Sequence, residues 1–331
     1  MKRCILHVGH AKNATTYLQT ALHLNERKLA ESGFWLPSDF TRFGSYNCRT
    51  LAEDGEIFSG NMQPVFDAYY AQQHDLVNEL LHHIFYNGAE NIILSSELLF
   101  YYNDVVWDIG RRAAHAGYEL TVVAYLSRQD IAAIAAYLQN VRNHDFYGNV
   151  IEFLESIRRE KGLQYFEVLA SYNLQPPARI IVRTFDHRFL VDGDILSDFL
   201  SVCSCSLAPE TLRLPGRDTN ASFPLEWYEI LRGLNAGRDS AVALFREKRP
   251  PLDANDRDRL TEYYFRPEIR DYIVNELMVC NEQLIATYLA DKSAEEREYW
   301  ANVPPSRHGL MLDTTKMAEC LACLAAIKAG R

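Results

Sequence analysis

A chain of 331 residues, 48% hydrophobic and 24% charged, is long enough to bury one large core or two smaller ones. This composition is ordinary for a globular protein with a sizeable core and does not favour disorder, which is typical of chains with fewer apolar residues for their charge. The formal net charge of -10 argues against broad binding to nucleic acid or to an anionic membrane, since both need a basic surface. An anionic small molecule stays compatible with this charge, because a few lysines and backbone N–H groups can form a local positive site.

The cysteines and the apolar segments favour a cytoplasmic protein without a membrane span. Seven scattered cysteines do not form the pattern of a disulfide framework, which favours a reducing compartment. The apolar run between Arg3 and Gly9 is too short for the core of a signal peptide. No apolar stretch approaches the ~20 residues that a spanning helix needs.

The chain begins with a strand, a tight loop and a helix. Residues 4–8 form a short apolar run that predicts a buried strand. Apolar residues then recur at helical spacing from Thr15 to Leu29, and Gly33 is predicted to end this helix. Residues 38–62 show no periodicity and predict a long loop, of the kind that often covers a functional site.

Strands and helices alternate along the next part of the chain. Apolar runs predict strands at 91–96, 118–126 and 178–185, and helical spacing predicts helices at 64–86, 129–142 and 194–203. Strands separated by helices predict an α/β fold with a central parallel sheet, joined by right-handed crossovers and flanked by helices.

Beyond residue 220 the pattern is only helical, at 224–235, 238–247, 254–264, 267–291 and 313–329. We therefore expect one α/β domain over residues 1–300, whose helical portion is 220–300, and then a linker and a C-terminal helix over 301–331. One face of the last helix carries Met317, Cys320, Leu321, Leu324 and Ile327. This face could pack on the core or form a homodimer with a second copy.

The segment His7-Val8-Gly9-His10-Ala11-Lys12-Asn13-Ala14-Thr15-Thr16 has the composition of an anion-binding loop. Unpaired N–H groups and the helix dipole favour an anion at the start of the helix. Lys12 adds a positive charge, and the hydroxyls of Thr15 and Thr16 add donors. The loop is too short for the GxxxxGK pattern, which argues against an ATP-dependent kinase. The alternative is a helix that Thr15 caps and that binds nothing.

Extended to Tyr17-Leu18-Gln19, this segment resembles HIGxxKTGTTxLQ, the N-terminal motif of bacterial carbohydrate-type sulfotransferases that use 3'-phosphoadenosine 5'-phosphosulfate (PAPS). Later segments resemble that family in order, over about residues 4–290: Leu94-Ser95-Ser96-Glu97, Tyr125-Leu126-Ser127-Arg128-Gln129-Asp130, Arg183-Thr184-Phe185, Asn220-Ala221-Ser222 and Asn281-Glu282.

The resemblance implies a P-loop-like three-layer fold and a sulfotransferase with PAPS as its co-substrate and no metal. The acceptor would be a hydroxyl of a carbohydrate or glycoconjugate. Lys12 would stabilise charge on the bridging oxygen as the sulfuryl group transfers. The candidate nucleotide-binding residues are Lys12, Asn13, Ala14, Thr15, Thr16, Tyr17, Ser127, Arg128 and Arg183.

The chain departs from the family where that family binds the nucleotide. Ser127 and Ala135 stand where an Arg and a Ser would hold the 3'-phosphate, and losing a bidentate cation removes the strongest type of phosphate contact. Arg128 could substitute from the next position, or it could be a surface arginine. Asn13-Ala14 replaces Thr-Gly, and Ala14 is expected to offer its N–H to an anion only if its φ is negative. These changes leave open a second reading, a catalytically degenerate protein that binds an anionic ligand or a partner protein.

Three side chains are further candidates for the chemistry. Glu97 follows a parallel strand, at the sheet edge where ligands bind in open α/β folds, and could be the general base. It could instead cap the next helix or pair with an arginine. His10 is the rival base, unless it bonds the backbone. Arg183 could lie near the nucleotide or form a structural ion pair.

Overall fold

The computed structural model describes residues 2–10, 13–44, 49–52, 55–58, 60–143, 145–160, 162–172, 174, 178–215, 223–247, 256–306 and 310–329. Within these ranges the chain forms a five-stranded parallel sheet and a separate antiparallel pair. The strands are β1 Lys2–Gly9, β2 Phe34–Trp35, β3 Arg49–Ala52, β4 Gly55–Phe58, β5 Asn91–Ser96, β6 Tyr118–Leu126 and β7 Arg179–Thr184.

Helices flank the parallel sheet, which confirms the predicted α/β class. The helices of the described residues are α1 Thr15–Leu24, α2 Glu26–Glu31, α3 Gln63–Tyr70, α4 His74–Phe85, α5 Asn103–His115, α6 Gln129–Asn143, α7 Val150–Arg159, α8 Tyr165–Ser171, α9 Ile195–Val202, α10 Leu225–Gly237, α11 Val242–Glu247, α12 Asp256–Tyr264, α13 Pro267–Tyr272, α14 Met278–Tyr288, α15 Ala294–Ala301 and α16 Thr314–Lys328.

The order of the parallel sheet is β2-β5-β1-β6-β7, and the direction of its connections reverses between β1 and β6. The chain leaves β1 toward β2 at one edge, whereas it leaves the neighbouring β6 toward β7 at the other edge. Where adjacent parallel strands are left in opposite directions, ligands of open α/β sheets bind at the carboxyl ends. Gly9 is paired in register with Tyr125, so the loop after β1 and Ser127 after β6 begin at the same end of the sheet.

β1 is covered on both faces, which is why its sequence is a nearly continuous apolar run. Cys4, Ile5, Leu6 and Val8 are all buried. On one face, helices α1, α2 and α9 pack against the sheet through a single cluster of buried side chains: Ile5, Leu18, Ala21, Leu22, Leu29, Phe34, Leu36, Ile93, Val123, Tyr125, Leu190, Ile195, Leu196, Phe199, Leu200 and Cys203.

Local backbone geometry explains where the elements differ from the sequence prediction. The predicted helix 64–86 is two helices, because Gln72 has a φ of 55° between them. The predicted helix 267–291 contains a π-helical segment at Ile273–Leu277. The predicted loop 38–62 holds the β3–β4 pair. Helix α7 went unpredicted although Asn149 and Glu152 form a capping box, a signature that the sequence displays.

The chain forms two compact units, each discontinuous in sequence. The first comprises Met1–Ser127, Tyr165–Thr219 and Gln283–Arg297 and holds the parallel sheet. The second comprises Arg128–Gln164, Asn220–Glu282 and Glu298–Arg331, and its described elements are helical. Across the described residues, no helix combines the length and the apolar character that crossing a membrane requires.

The C-terminal helix α16 belongs to the second unit. Cys320 and Ile327 are buried, so part of the predicted apolar face packs within the unit. Leu321 is 49% exposed. A homodimer through this helix stays a prediction.

Candidate anion-binding site

Gly9, the last residue of β1, brings the start of α1 and the end of β5 together. A Cβ atom at Gly9 would lie 2.7 Å from Thr15 Oγ1 and 3.1 Å from the Cα of Glu97. Since real Cβ atoms do not approach other atoms so closely, only glycine permits this arrangement. It places Thr15 and Glu97 beside the loop that the sequence analysis singled out.

The N-terminus of α1 has no side-chain cap among the described residues. Its first turn also contains no acidic residue. Thr15 is 3% exposed, and its hydroxyl has no hydrogen-bond partner among the described residues. Thr15 therefore does not cap the helix, and a buried donor is left beside the positive end of the helix dipole.

Ala14 precedes α1 with φ 54° and ψ 27°, in the left-handed region. Ala14 therefore lacks the negative φ that we expected it to need in order to offer its N–H to an anion. A left-handed conformation costs an L-residue roughly 1–2 kcal/mol relative to the ordinary helical one. The motif that this chain resembles has glycine here, which adopts the conformation freely. Ala14 therefore keeps the turn of that motif at a cost, and strain of this kind is often found at functional sites.

The remaining loop residues are only partly described. Lys12 lies outside the described residues, as does Ala11. Thr16 and Tyr17 are in the first turn of α1, and both are partly exposed. Burial and the negative charge of Asp194 raise the pKa of Tyr17, so its hydroxyl stays protonated and can donate.

The two positions where the loop and β6 depart from the sulfotransferase motif contact each other. Ser127 Oγ donates to Asn13 Oδ1 at 2.6 Å, and Asn13 Nδ2 donates to the carbonyl of Tyr125 at 2.7 Å. Asn13 is 1% and Ser127 3% exposed. These bonds tie the β1–α1 loop to the carboxyl end of β6, and we call the pair the Asn13–Ser127 clasp.

Glu97 remains the stronger candidate for a general base. It is partly exposed, and its side chain does not cap the 3₁₀ helix Leu98–Tyr101 that follows it. Instead, Ser96 Oγ accepts a hydrogen bond from the Leu98 N–H at 3.3 Å. The capping role considered as an alternative is therefore taken by the neighbouring serine.

His10 is packed among aromatic rings and is only 2% exposed. Its ring centroid lies 5.3 Å from that of Phe100 and 5.1 Å from that of Tyr165, both in edge-to-face contact. The ring of Tyr101 lies 5.9 Å away. This packing removes the imidazole from solvent and favours Glu97 as the group that meets an acceptor.

Sequence reasoning missed a buried polar cluster beneath the loop. Ser95 Oγ lies 2.9 Å from His7 Nδ1 and accepts from Gln19 Nε2 at 3.1 Å. Burial lowers the pKa of His7 to about 3, so the ring is neutral at physiological pH. The cluster joins β1, β5 and α1 directly below the site. Only the alignment of His7 with Ser95 in the sheet register reveals it.

The two arginines proposed for the nucleotide are engaged by carboxylates. Arg128 donates to both carboxylate oxygens of Asp130 at 2.7 and 2.9 Å, and its guanidinium lies 4.4 Å from the ring centroid of Tyr299. Arg183 forms a two-point pair with Asp198, whose side chain is fully buried. Either arginine would have to give up its carboxylate partner to bind a phosphate. Ala135, in α6, is partly exposed and adds no hydrogen-bonding group.

No protein-family model matches the chain, and no curated protein matches it in sequence. Two solved structures are similar in part. A sulfotransferase from Alicyclobacillus acidocaldarius gives a TM-score of 0.40 at 14% identity, over 90% of this chain and 99% of that one. The structure of the PezAT chromosomal toxin–antitoxin system of Streptococcus pneumoniae gives a TM-score of 0.30 at 12% identity, and the match covers 75% of this chain and 88% of that one. At these scores neither similarity is evidence for a function.

Among the described residues, no group of three or more His, Cys, Asp or Glu side chains could hold a metal ion. The N-terminus of α1 and the Thr15 hydroxyl would hold an anion, and Glu97 could accept a proton.

Proposed function

We propose that the chain is a sulfotransferase, which moves the sulfuryl group of PAPS to a hydroxyl of a carbohydrate or glycoconjugate. The observation that supports this most is the N-terminus of α1 at the switch point of the sheet, where no described side chain caps the helix and the buried Thr15 hydroxyl has no hydrogen-bond partner among the described residues. A sulfate or phosphate group would satisfy both the hydroxyl and the N–H groups of the first turn.

The proposed chemistry needs positioning, charge stabilisation and one base. The bond between sulfur and the bridging oxygen of the donor breaks, and a bond between sulfur and the acceptor oxygen forms. Glu97 takes the proton of the acceptor hydroxyl, and Lys12 stabilises the negative charge left on the bridging oxygen. Residues 15–17, in the first turn of α1, would hold the phosphosulfate end of the donor.

Calorimetric titration with the product nucleotide PAP tests the donor site. We expect micromolar binding that Lys12→Ala weakens at least about tenfold, or ~1.4 kcal/mol. Lys2→Ala is the matched control, because Lys2 lies at the opposite end of β1 and should leave binding unchanged. Equal binding by the wild type and Lys12→Ala would contradict the donor site.

Transfer of labelled sulfate from PAPS to a panel of saccharides tests the reaction itself. We expect Glu97→Gln to abolish transfer while PAP still binds, since the amide cannot accept the proton. A folded wild-type protein that binds PAP and modifies no acceptor would contradict the proposed sulfotransferase activity, but it would not contradict the proposed donor site.

A second candidate function is a catalytically degenerate protein that binds an anionic ligand or a partner protein. The observation that favours it is that the residues proposed to bind the nucleotide already contact other side chains. Ser127 bonds to Asn13, Arg128 pairs with Asp130, and Arg183 pairs with Asp198. This candidate predicts that the unmodified protein binds PAP only weakly. Tight binding of PAP would rule it out in this form.

A further inference from the structure

The second unit contains an open cavity of about 500 Å³ that the sequence analysis did not predict. Residues of α6, α7, α10 and α12 line it together with residues 266 and 268. Small-molecule sites in proteins have volumes of roughly 300–1,000 Å³ and combine aromatic walls with a few placed polar groups. This volume is large enough for more than one sugar ring.

Three tyrosines give the cavity its aromatic surface. The ring centroids of Tyr137 and Tyr264 are 5.1 Å apart, and those of Tyr263 and Tyr264 are 4.9 Å apart. Tyr137 and Tyr264 are buried, whereas Tyr263 is partly exposed. Burial and the charge of Glu229 raise the pKa of Tyr263, so its hydroxyl remains a hydrogen-bond donor. Tyr263 thus offers a ring face and a donor together.

Glu229 is a fixed acceptor in the wall of the cavity. Its Oε2 accepts from Arg232 Nη2 at 2.8 Å, and its Oε1 accepts from the Tyr264 hydroxyl at 2.7 Å. A carboxylate can accept about four hydrogen bonds, so Oε1 retains acceptor capacity. These bonds already hold the side chain in one conformation, so ligand binding would not cost the conformational entropy of ordering it.

Arg266 is a hydrogen-bond donor in the lining of the cavity. Its guanidinium lies 5.3 Å from the ring centroid of Tyr263, and it makes no ion pair with any described residue. Glu229 and Arg266 both line the cavity, so it presents an acceptor and a donor to one ligand.

The charges exclude the two other common classes of ligand. The cavity carries the carboxylates of Glu152, Glu229 and Glu268 against the guanidiniums of Arg232 and Arg266. One uncommitted arginine among three carboxylates does not suit a polyanion such as a nucleotide, and so many charged groups do not suit a lipid.

We infer that this cavity binds a neutral carbohydrate of two or three sugar units. A sugar hydroxyl both donates and accepts, which matches the fixed carboxylate of Glu229 and the free guanidinium of Arg266. The apolar C–H face of a pyranose ring packs on the side of the Tyr263 ring that faces away from the Arg266 guanidinium. This inference does not depend on sulfuryl transfer, because none of the residues that line the cavity is a candidate for binding the donor or for the chemistry.

A glycan array that carries neutral, sulfated and uronic-acid saccharides tests the inference, followed by titration with the best neutral trisaccharide on it. We expect neutral glycans to bind, and we expect Tyr263→Ala and Arg266→Gln each to weaken the affinity at least about tenfold. Arg266→Gln should leave the fold intact, since Arg266 has no ion pair to lose. Tyr86→Ala is the control, because Tyr86 is an exposed tyrosine of the first unit.

Three outcomes would overturn the inference: no neutral glycan bound, binding of acidic glycans only, or binding that neither cavity substitution weakens. PAP titration of the same two variants keeps the tests separate. Unchanged PAP binding with lost glycan binding supports the cavity whatever the reaction proves to be. Lost PAP binding in both variants would indicate a general folding defect, and the cavity assignment would then fail.

Discussion

The Asn13–Ser127 clasp gives a quantitative prediction about the candidate site. Ser127→Ala removes the only described donor to Asn13 Oδ1 and leaves a buried amide oxygen unsatisfied. A loss of this kind costs about 1–3 kcal/mol of unfolding free energy. Asn13→Ala also removes the bond to the Tyr125 carbonyl, so we expect a larger cost, roughly 2–4 kcal/mol.

The double variant decides whether the two side chains act together. Once one partner is gone, removing the other leaves no additional unsatisfied group between them. The double variant should therefore be more stable than the sum of the single costs predicts, by about 1–2 kcal/mol. Urea unfolding, followed by circular dichroism, measures all four proteins. The exposed Ser171 supplies a control, and Ser171→Ala should change stability by less than about 0.5 kcal/mol. Costs that add within about 0.5 kcal/mol would refute the clasp.

The clasp also predicts how the donor site responds to restoring the residues of the motif. Ser127→Arg alone should not strengthen PAP binding. Asn13 occupies the neighbouring space, and the longer arginine side chain does not fit the buried position of Ser127. Asn13→Thr combined with Ser127→Arg should strengthen it, since both positions then match the sulfotransferase motif. Equal PAP affinity of the single and double variants in calorimetry would contradict this dependence.

Two further predictions concern backbone strain and acid stability. Ala14→Gly should stabilise the protein by about 0.5–1 kcal/mol, because the strain energy that it removes from the folded state exceeds the entropy that it adds to the unfolded chain. Ala322→Gly within α16 is the control and should instead destabilise the protein by about 1 kcal/mol. Burial opposes ionisation of Glu226, but hydrogen bonds from Arg259 and from the N–H of Asp313 lower its pKa below the ordinary 4.5. Glu226→Gln should therefore cost about 1.5–3 kcal/mol above pH 4.5, and this difference from the wild type should shrink as the pH falls further, because the wild-type carboxylate is then protonated.

Urea unfolding at neutral pH measures the stability changes of Ala14→Gly and Ala322→Gly. Urea unfolding at several pH values measures the stability change of Glu226→Gln. A destabilised Ala14→Gly protein would mean that the methyl group of Ala14 makes contacts worth more than the strain. A cost of Glu226→Gln that stays constant from neutral pH to pH 3 would mean that the charge of Glu226 contributes nothing to its pairing.

The sequence by itself determined the α/β class and most of the strands of the sheet. The runs at 4–8, 91–96 and 118–126 become buried strands, because parallel strands covered on both faces need continuous apolar residues. The run at 178–185 becomes the edge strand β7, which is only partly buried. The sequence also located the β1–α1 loop, since the spacing of glycine and threonines before a helix is a local property. These features depend on neighbours along the chain, and a sequence displays such neighbours directly.

Only the tertiary structure decided how the candidate side chains are used. Asn13 and Ser127 are 114 residues apart and meet because β1 and β6 are adjacent in the sheet. Arg183 is taken up by Asp198, and His10 is enclosed by Phe100 and Tyr165. Whether a polar side chain faces a ligand or another residue depends on which groups the fold brings within hydrogen-bonding distance. Residue spacing along the chain carries no information about that distance.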